Sequence, residues 1–182
     1  MCILVMATGC GTKQIKNSDV ENHDVKQTEE QTAEDDFQFT LVSEKDAYHT
    51  DEEVKVYGEI EYTGDEDEMT IHHQAPVIAF PMEEKEREFA IDYSVADTEE
   101  STTLKKDEPY RESYTKENSY FSVSMAKSHT DFIDDFSEGI GFPPGYYATK
   151  GAAEFSTDSD SDTQDESNIN LEANVDFKVL EE

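Results

Sequence analysis

An acidic stretch late in the chain has the residue types and the spacing that come nearest to metal chemistry. Its acids recur at alternate positions, like the first three ligands of a calcium-binding loop: Asp158, Asp160 and Asp162. The sixth position of such a loop requires glycine and the twelfth requires glutamate, whereas this chain has Thr163 and Ile169 there. The 156–168 loop is therefore either a weak calcium site, the one cofactor that the sequence suggests, or a solvated acidic hairpin loop.

Histidines and nucleophile motifs provide no catalytic signal. His72 and His73 are adjacent on a predicted strand, where neighbouring side chains point to opposite faces and cannot hold one ion together. The sequence has neither the Gly-x-Ser-x-Gly motif of a nucleophile elbow nor a glycine-rich phosphate loop. No residue is therefore assigned a catalytic role, and the sequence favours a protein that is not an enzyme.

The first ten residues carry a signal for covalent modification. A short apolar run leads to the small residues Ala7, Thr8 and Gly9, which stand directly before Cys10. Small side chains allow a peptidase to cut there, and the free thiol can then carry a diacylglyceryl group. The segment resembles the lipobox of bacterial lipoproteins, although Ala7 replaces the usual leucine and no Lys or Arg precedes Cys10. We expect lipidation of Cys10 and anchoring at the extracytoplasmic face of the cell membrane; the alternative is a buried N-terminal strand of a cytosolic protein.

Composition divides the chain into three parts. Residues 11–36 contain three lysines against eight acids, and few apolar residues beyond Ile15 and Val20. Such a stretch buries too little apolar surface to offset its ordering entropy. We therefore expect a signal remnant over 1–10, an acidic disordered tether over 11–36 and a folded domain over 37–182.

The charge of the chain excludes some classes of partner. With 14 basic and 45 acidic residues, its formal net charge is −31. A nucleic-acid binder needs a basic footprint, so nucleic acid is excluded as a partner. The same charge opposes docking onto anionic lipid headgroups. No apolar run reaches the roughly 18 residues that a membrane-spanning helix requires.

Alternation of apolar and polar residues predicts the fold class. It is clearest in four segments, 37–41, 54–62, 89–95 and 169–179, and weaker in five others, 69–72, 77–80, 102–106, 119–125 and 146–155. Helical spacing occurs only over 126–138, which predicts one short helix. A count of about seven to nine short strands predicts an all-β, immunoglobulin-like antiparallel β-sandwich.

A proline- and glycine-containing turn precedes the late strand. Gly145 stands two residues before Tyr147, which is the arrangement of a tyrosine corner in immunoglobulin-like sandwiches. In that interpretation the hydroxyl of Tyr147 returns to the backbone at the edge of the sandwich. The alternative is a turn followed by two ordinary aromatic residues.

Three segments carry a resemblance to a known group of proteins: EVKVYGEIEYTGDEDEMTIHH, STTLKKDE and GFPPGYYAT. Together with the lipobox cysteine and the acidic segment after it, they resemble the immunoglobulin-like domains of uncharacterised surface lipoproteins from Bacillus-type Gram-positive bacteria. The layout is also similar to the domain of the Bacillus intracellular proteinase inhibitor. The resemblance covers roughly residue 37 to the C terminus and implies a β-sandwich without catalytic residues.

The function that the sequence favours is a lipid-anchored, extracytoplasmic binding module. Its partners are the membrane, through the lipid on Cys10, and an envelope protein, a wall polymer or a peptide added along a sheet edge. The aromatic residues Tyr57 and Tyr146 are candidate contacts; the alternative for each is packing in the core or at its rim. By fold analogy, the alternative is a proteinase inhibitor with its reactive loop at 98–101 or 156–168.

Overall fold

The computed structural model describes residues 15–122, 129–157 and 167–181. Within these ranges the chain is an all-β sandwich, as the alternation predicts, with twelve strands in two sheets and two α-helices. The elements, in chain order, are α1 (Asn17–Glu21), β1 (Glu29–Glu34), β2 (Phe37–Ser43), β3 (Ala47–His49), β4 (Val56–Tyr62), β5 (Glu68–Ala79), β6 (Met82–Glu84), β7 (Phe89–Tyr93), β8 (Ala96–Lys105), β9 (Tyr110–Ser113), a 3₁₀ turn (Lys116–Asn118), β10 (Ser119–Tyr120), α2 (Thr130–Glu138), β11 (Gly145–Thr157) and β12 (Ser167–Leu180).

Sheet one consists of β1, β2, β4 and β9, in that order and all antiparallel. Along β2 and β4 every second residue is buried, so each strand presents one face to the core. Phe39 of β2 pairs with Ile60 of β4, and both are 0% exposed. Gly58 allows this close packing, because a Cβ there would lie 2.8 Å from the ring of Phe39.

Sheet two is built around the long hairpin of β11 and β12. The two strands pair from Gly145↔Val179 to Thr157↔Ser167. On its other side β11 pairs with both β5 and β6; β8 lies outside β5, and β7 and β10 lie outside β6. The short strand β3 adds in parallel to the end of β12. Sheet two therefore has two long edges, one along β12 and one along β8.

Helix α2 packs an apolar face onto the core. Its two buried phenylalanines, Phe132 and Phe136, lie 4.8 Å (ring centroids) from Phe89 and Phe142, respectively. Beyond its last turn, Lys116 Nζ donates to the carbonyl oxygens of Phe136 and of the loop that follows. The predicted helix is confirmed over 130–138, and residues 126–128 lie outside the described ranges.

Carboxylates from sheet one close the edge along β12. Glu34 Oε2 accepts a hydrogen bond from the Asn170 N–H at 3.1 Å, and Glu30 Oε2 accepts one from the Asn174 N–H at 2.5 Å. Two N–H groups of β12 that would otherwise be open to a further strand are thus engaged by side chains of β1. These two hydrogen bonds join β1 of sheet one to β12 of sheet two.

The expectation of a disordered tether over 11–36 is wrong for residues 15–36, which belong to the fold. Ile15 and Val20 are 2% and 0% exposed, and α1 contacts β12. All six residues of β1 pair with β2. Composition misled here because β1 gains its stability from ladder hydrogen bonds and edge contacts rather than from apolar burial. Residues 11–14 lie outside the described ranges.

A buried aspartate on β12 holds the segment between α1 and β1. Asp176 accepts hydrogen bonds from the N–H groups of Lys26 and Gln27, at 2.8 and 3.0 Å, and from the hydroxyl of Tyr146. The ring of His23 stacks on Tyr146 at 4.6 Å. These contacts explain why a polar segment is ordered, since each draws a backbone or ring group onto sheet two.

The strand count exceeds the prediction of about seven to nine because several strands lack the expected signal. The strands β3, β6 and β9 have only three or four residues each, too few for a period of two to be visible. Strand β10 covers only the first two residues of the predicted segment 119–125. In β8 the side chains of residues 96–101 are exposed on both faces. Conversely, the two predicted segments 69–72 and 77–80 form one strand, β5.

Candidate functional site

An open groove of about 860 Å³ lies where β5 departs from β11. The two strands pair up to His73↔Phe155 and resume at Ile78↔Ala153, so the four residues 74–77 of β5 stand opposite Glu154 alone. The pairing of β5 with β8 shifts at the same point. Irregular pairing on both sides of β5 therefore opens the sheet locally, as β-bulges do.

The groove is lined by polar and small apolar side chains. Ala152, Glu154 and Ser156 alternate with the core residues Ala153 and Phe155, so these three belong to the outer face of sheet two. Most of the other lining residues come from three strands and the turn before β8: His72, Gln74, Pro76, Val77, Ala79, Val95, Asp97, Glu99, Asn168 and Asn170. A ligand there meets hydrogen-bonding groups above an aliphatic floor.

The charge of the groove has one sign. Asp97, Glu99 and Glu154 are exposed carboxylates on its walls. Among the described residues that line it, none is Lys or Arg. With a chain charge of −31, the groove attracts cations and repels anionic ligands.

A carboxylate from sheet one holds the irregular part of β5 in place. Glu112 of β9 accepts hydrogen bonds from the Ile78 N–H at 2.9 Å and, more weakly, from the Val77 N–H at 3.4 Å. The hydroxyl of Tyr110 donates to the same carboxylate at 3.1 Å, and burial together with the Glu112 charge raises the pKa of Tyr110. Val77 and Ile78 are buried, so without Glu112 their N–H groups would lose a partner at a shift in the ladder.

The two adjacent histidines take different positions beside the groove, as their spacing on a strand predicts. His73 is 7% exposed, and its Nδ1–H donates to the carbonyl oxygen of Gln74 at 2.8 Å. That leaves Nε2 to accept the hydroxyl of Thr102 at 2.9 Å. His72 is only partly covered and lines the groove. His73 is thus a structural residue that ties β5 to β8.

The outer edge of β8 is open. In the described ranges β8 pairs with β5 alone, and no strand takes its other side. The prediction of a reactive loop at 98–101 is therefore wrong. These residues lie within strand β8, and residues 99–101 pair with β5. The segment is acidic on both faces, which hides its strand character in the sequence.

The residues of the tyrosine-corner interpretation lie at the opposite end of β11 from the groove. The Tyr147 hydroxyl, fully buried, donates to the Pro143 carbonyl oxygen at 2.7 Å, and burial raises the pKa of Tyr147. A Cβ on Gly145 would lie 2.6 Å from a carboxylate oxygen of Glu84. Glu84 is itself buried and ion-paired with Arg87 at 3.2 Å. This buried network fixes the turn before β11.

The two tyrosines predicted as surface contacts are both occupied by intramolecular contacts. Tyr146 is 8% exposed beneath the ring of His23, which agrees with the alternative of core or rim packing rather than with an exposed contact. The Tyr57 ring is partly covered by the guanidinium of Arg111, 3.8 Å from the ring centroid. Neither is a free aromatic platform, because each already stacks on a neighbouring side chain.

The predicted modification and metal residues cannot be placed. Cys10 and the triad Asp158, Asp160 and Asp162 lie outside the described ranges. Among the described residues, no group of three or more His, Cys, Asp or Glu is arranged to hold a metal ion. In the same part of the chain no helix combines the length and apolarity needed to cross a membrane.

Comparison of the chain with protein-family models, with curated proteins and with solved structures finds no match. The groove itself was missed at the level of sequence. Its signal is Pro76, which stands between the two predicted segments 69–72 and 77–80, since proline within a strand marks a bulge or an edge.

Proposed function

We propose that this chain is a non-enzymatic binding module whose ligand carries several positive charges. The observation that carries the proposal is the groove on sheet two, with three carboxylates on its walls and no basic residue among its described lining. Its volume of about 860 Å³ lies in the range of ligand pockets. Its polar lining supplies acceptors for ammonium and guanidinium groups.

The small binding free energy of an exposed ion pair determines what kind of cation can bind in the groove. One such pair contributes about 0.2–1 kcal/mol, so a single small cation gains little here. A ligand that engages Asp97, Glu99 and Glu154 together adds these contributions and buries its methylene stems against Val95 and Ala152. A peptide segment rich in lysine or arginine meets this requirement.

The binding test uses a dye-labelled, blocked octapeptide of alternating lysine and valine, titrated into the full chain at about 0.1 M ionic strength, where charges more than about 10 Å away are largely screened. Fluorescence anisotropy reports the Kd. We expect the double variant Glu99→Lys/Glu154→Lys to weaken binding by at least about tenfold. The matched control, Glu29→Lys/Glu53→Lys, makes the same change in net charge at exposed positions away from the groove and keeps the Kd within about twofold.

Two results would contradict this assignment. Equal weakening by both double variants would show that the overall charge, rather than the groove, attracts the peptide. Absence of binding to the unaltered chain would remove the proposed function. A peptide of alternating glutamate and valine serves as the negative control.

We also propose that the module is anchored through a lipid on Cys10, on the extracytoplasmic face. The support is the lipobox-like segment that ends at Cys10. The five residue steps from Cys10 to the buried Ile15 span at most about 18 Å. An anchored module would thus stand close to the bilayer, rather than at the end of a long tether.

Expression in a Gram-positive host tests the anchor. We expect a mature mass that begins at Cys10 and includes acyl chains, and partition of the protein into the membrane fraction. Cys10→Ala should release it. A soluble chain whose mass shows neither cleavage nor acylation would refute the anchor and leave the groove assignment standing.

A further inference from the structure

The open edge of β8 offers a second set of binding groups beside the groove. β8 runs over ten residues, Ala96–Lys105, without proline, and seven of its first eight side chains are exposed. Its backbone pairs on one side only in the described ranges. Free N–H and C=O groups along such an edge can pair with an added strand.

The other long edge of sheet two differs in this respect. Along β12, Glu30 and Glu34 occupy the N–H groups of Asn174 and Asn170. The Gln27 carbonyl accepts from the Asp176 N–H at 3.0 Å. The chain itself thus covers part of one long edge, whereas no described strand pairs with the outer edge of β8.

The charge of β8 determines which kind of segment can pair with its outer edge. β8 carries Asp97, Glu99 and Glu100 in its first half, all exposed. Pairing of β8 with β8 of a second copy would bring these acids close together, which is destabilising. A segment with lysine or arginine places opposite charges across the pair, so it is favoured over self-association.

Geometry links the edge to the groove. Asp97 and Glu99 belong to β8 and also line the groove. Neighbouring strands lie about 4.8 Å apart, so a lysine or arginine side chain on an added strand reaches over β8 to these carboxylates. We propose that an extended basic peptide segment binds by adding as a strand to the open edge of β8, with its cationic side chains directed over the groove. This inference rests on the proposed function and specifies its partner and binding mode.

Backbone N-methylation of the probe tests the binding mode separately from the charge. Two versions of the lysine–valine octapeptide are made, each N-methylated at alternate residues, one along each edge of the extended peptide. Both keep every charge and side chain. We expect one version to bind at least about tenfold more weakly than the parent peptide and the other to bind within about threefold of it, because only one edge can face β8.

The outcomes separate the two proposals. If both methylated versions bind as tightly as the parent, strand addition is overturned while the cationic groove stands. If both methylated versions lose binding equally, the peptide does not bind through one of its two edges, and strand addition to β8 is overturned. If the parent itself does not bind, the proposed function and this inference both fail.

Amide hydrogen exchange on the unaltered chain gives an independent measurement. Saturating peptide should slow exchange of amides in β8 and leave those of β12 unchanged, since the β12 edge is already covered. Slowing confined to strands other than β8 refutes the inference. Sedimentation without peptide should show a monomer. A dimer whose formation protects the β8 amides would show that a second copy of the chain occupies the β8 edge, and would overturn the proposal that a basic segment binds there.

Discussion

Removal of the Glu112 charge should destabilise the chain through the irregular part of β5. The carboxylate accepts from Ile78 N–H at 2.9 Å, from Val77 N–H at 3.4 Å and from the hydroxyl of Tyr110 at 3.1 Å. Hydrogen bonds to a charged group contribute about 1.5–3 kcal/mol, and a neutral bond about 1 kcal/mol. Glu112→Gln keeps one acceptor oxygen, so we expect it to lower the free energy of unfolding by about 1–2 kcal/mol.

Glu112→Ala should cost more, about 3 kcal/mol, because two buried N–H groups then lose their acceptor. The matched control is Glu59→Gln on the neighbouring strand β4. Glu59 pairs with Arg111 at 2.6 Å on the exposed face of sheet one. Exposed ion pairs contribute little, so this variant should remain close to the unaltered chain.

Urea unfolding at neutral pH, followed by circular dichroism and by tyrosine fluorescence, measures these differences. Amide exchange of Ile78 reports the local opening, which should increase in both Glu112 variants and stay unchanged in Glu59→Gln. If Glu112→Gln unfolds at the same urea concentration as Glu59→Gln, the carboxylate does not support β5 and the reasoning fails. Both variants stay foldable if the total stability is the usual 5–15 kcal/mol or so.

Three further predictions concern the rest of the fold. Tyr147→Phe removes the hydroxyl that donates to Pro143, so thermal unfolding should show a loss of about 1 kcal/mol; an unchanged Tm would contradict this. Lys116→Met leaves the carbonyls after α2 without their ammonium donor, and urea unfolding should show a loss of about 2 kcal/mol, with Lys116→Arg as the conservative comparison. The hydrogen bond from the Asn174 N–H lowers the pKa of Glu30 below its ordinary value of 4.5, so its contribution is complete above about pH 4.5 and lost as the pH falls through the lowered value. Glu30→Gln should therefore flatten the decline of stability between pH 5 and pH 3 or so, and an unaltered slope would refute the assignment.

The clearest strands could be predicted because their burial follows the local pattern. Phe39 and Leu41 on β2, and Val175 and Phe177 on β12, alternate with polar residues and are buried. The same holds for the apolar face of α2. In these elements one face meets the core along the whole length, so the period of the sequence equals the period of burial.

Other elements depend on contacts between residues far apart in the chain. Strand β1 is polar on both faces and is held by β2 and by bonds from Glu30 and Glu34 to β12, about 140 positions away. The first half of strand β8 is acidic and exposed, and pairing with β5 holds the strand in the sheet. No local pattern marks β1 or residues 96–101 of β8, because backbone pairing rather than side-chain burial holds them; only the second half of β8, with the buried Leu104, is predicted, as part of the segment 102–106.

The sequence by itself determined the fold class, the short helix and the net negative charge. Each of these follows from the amino-acid composition or from a periodic pattern within one segment. Neither depends on which distant residues become neighbours in the fold. Only the tertiary structure decided where that charge acts: it placed Asp97, Glu99 and Glu154 around one opening and Glu112 beneath it. These residues come from β8 and β11 of sheet two and from β9 of sheet one. Their convergence depends on the register shift in β5, which is a property of the assembled sheets.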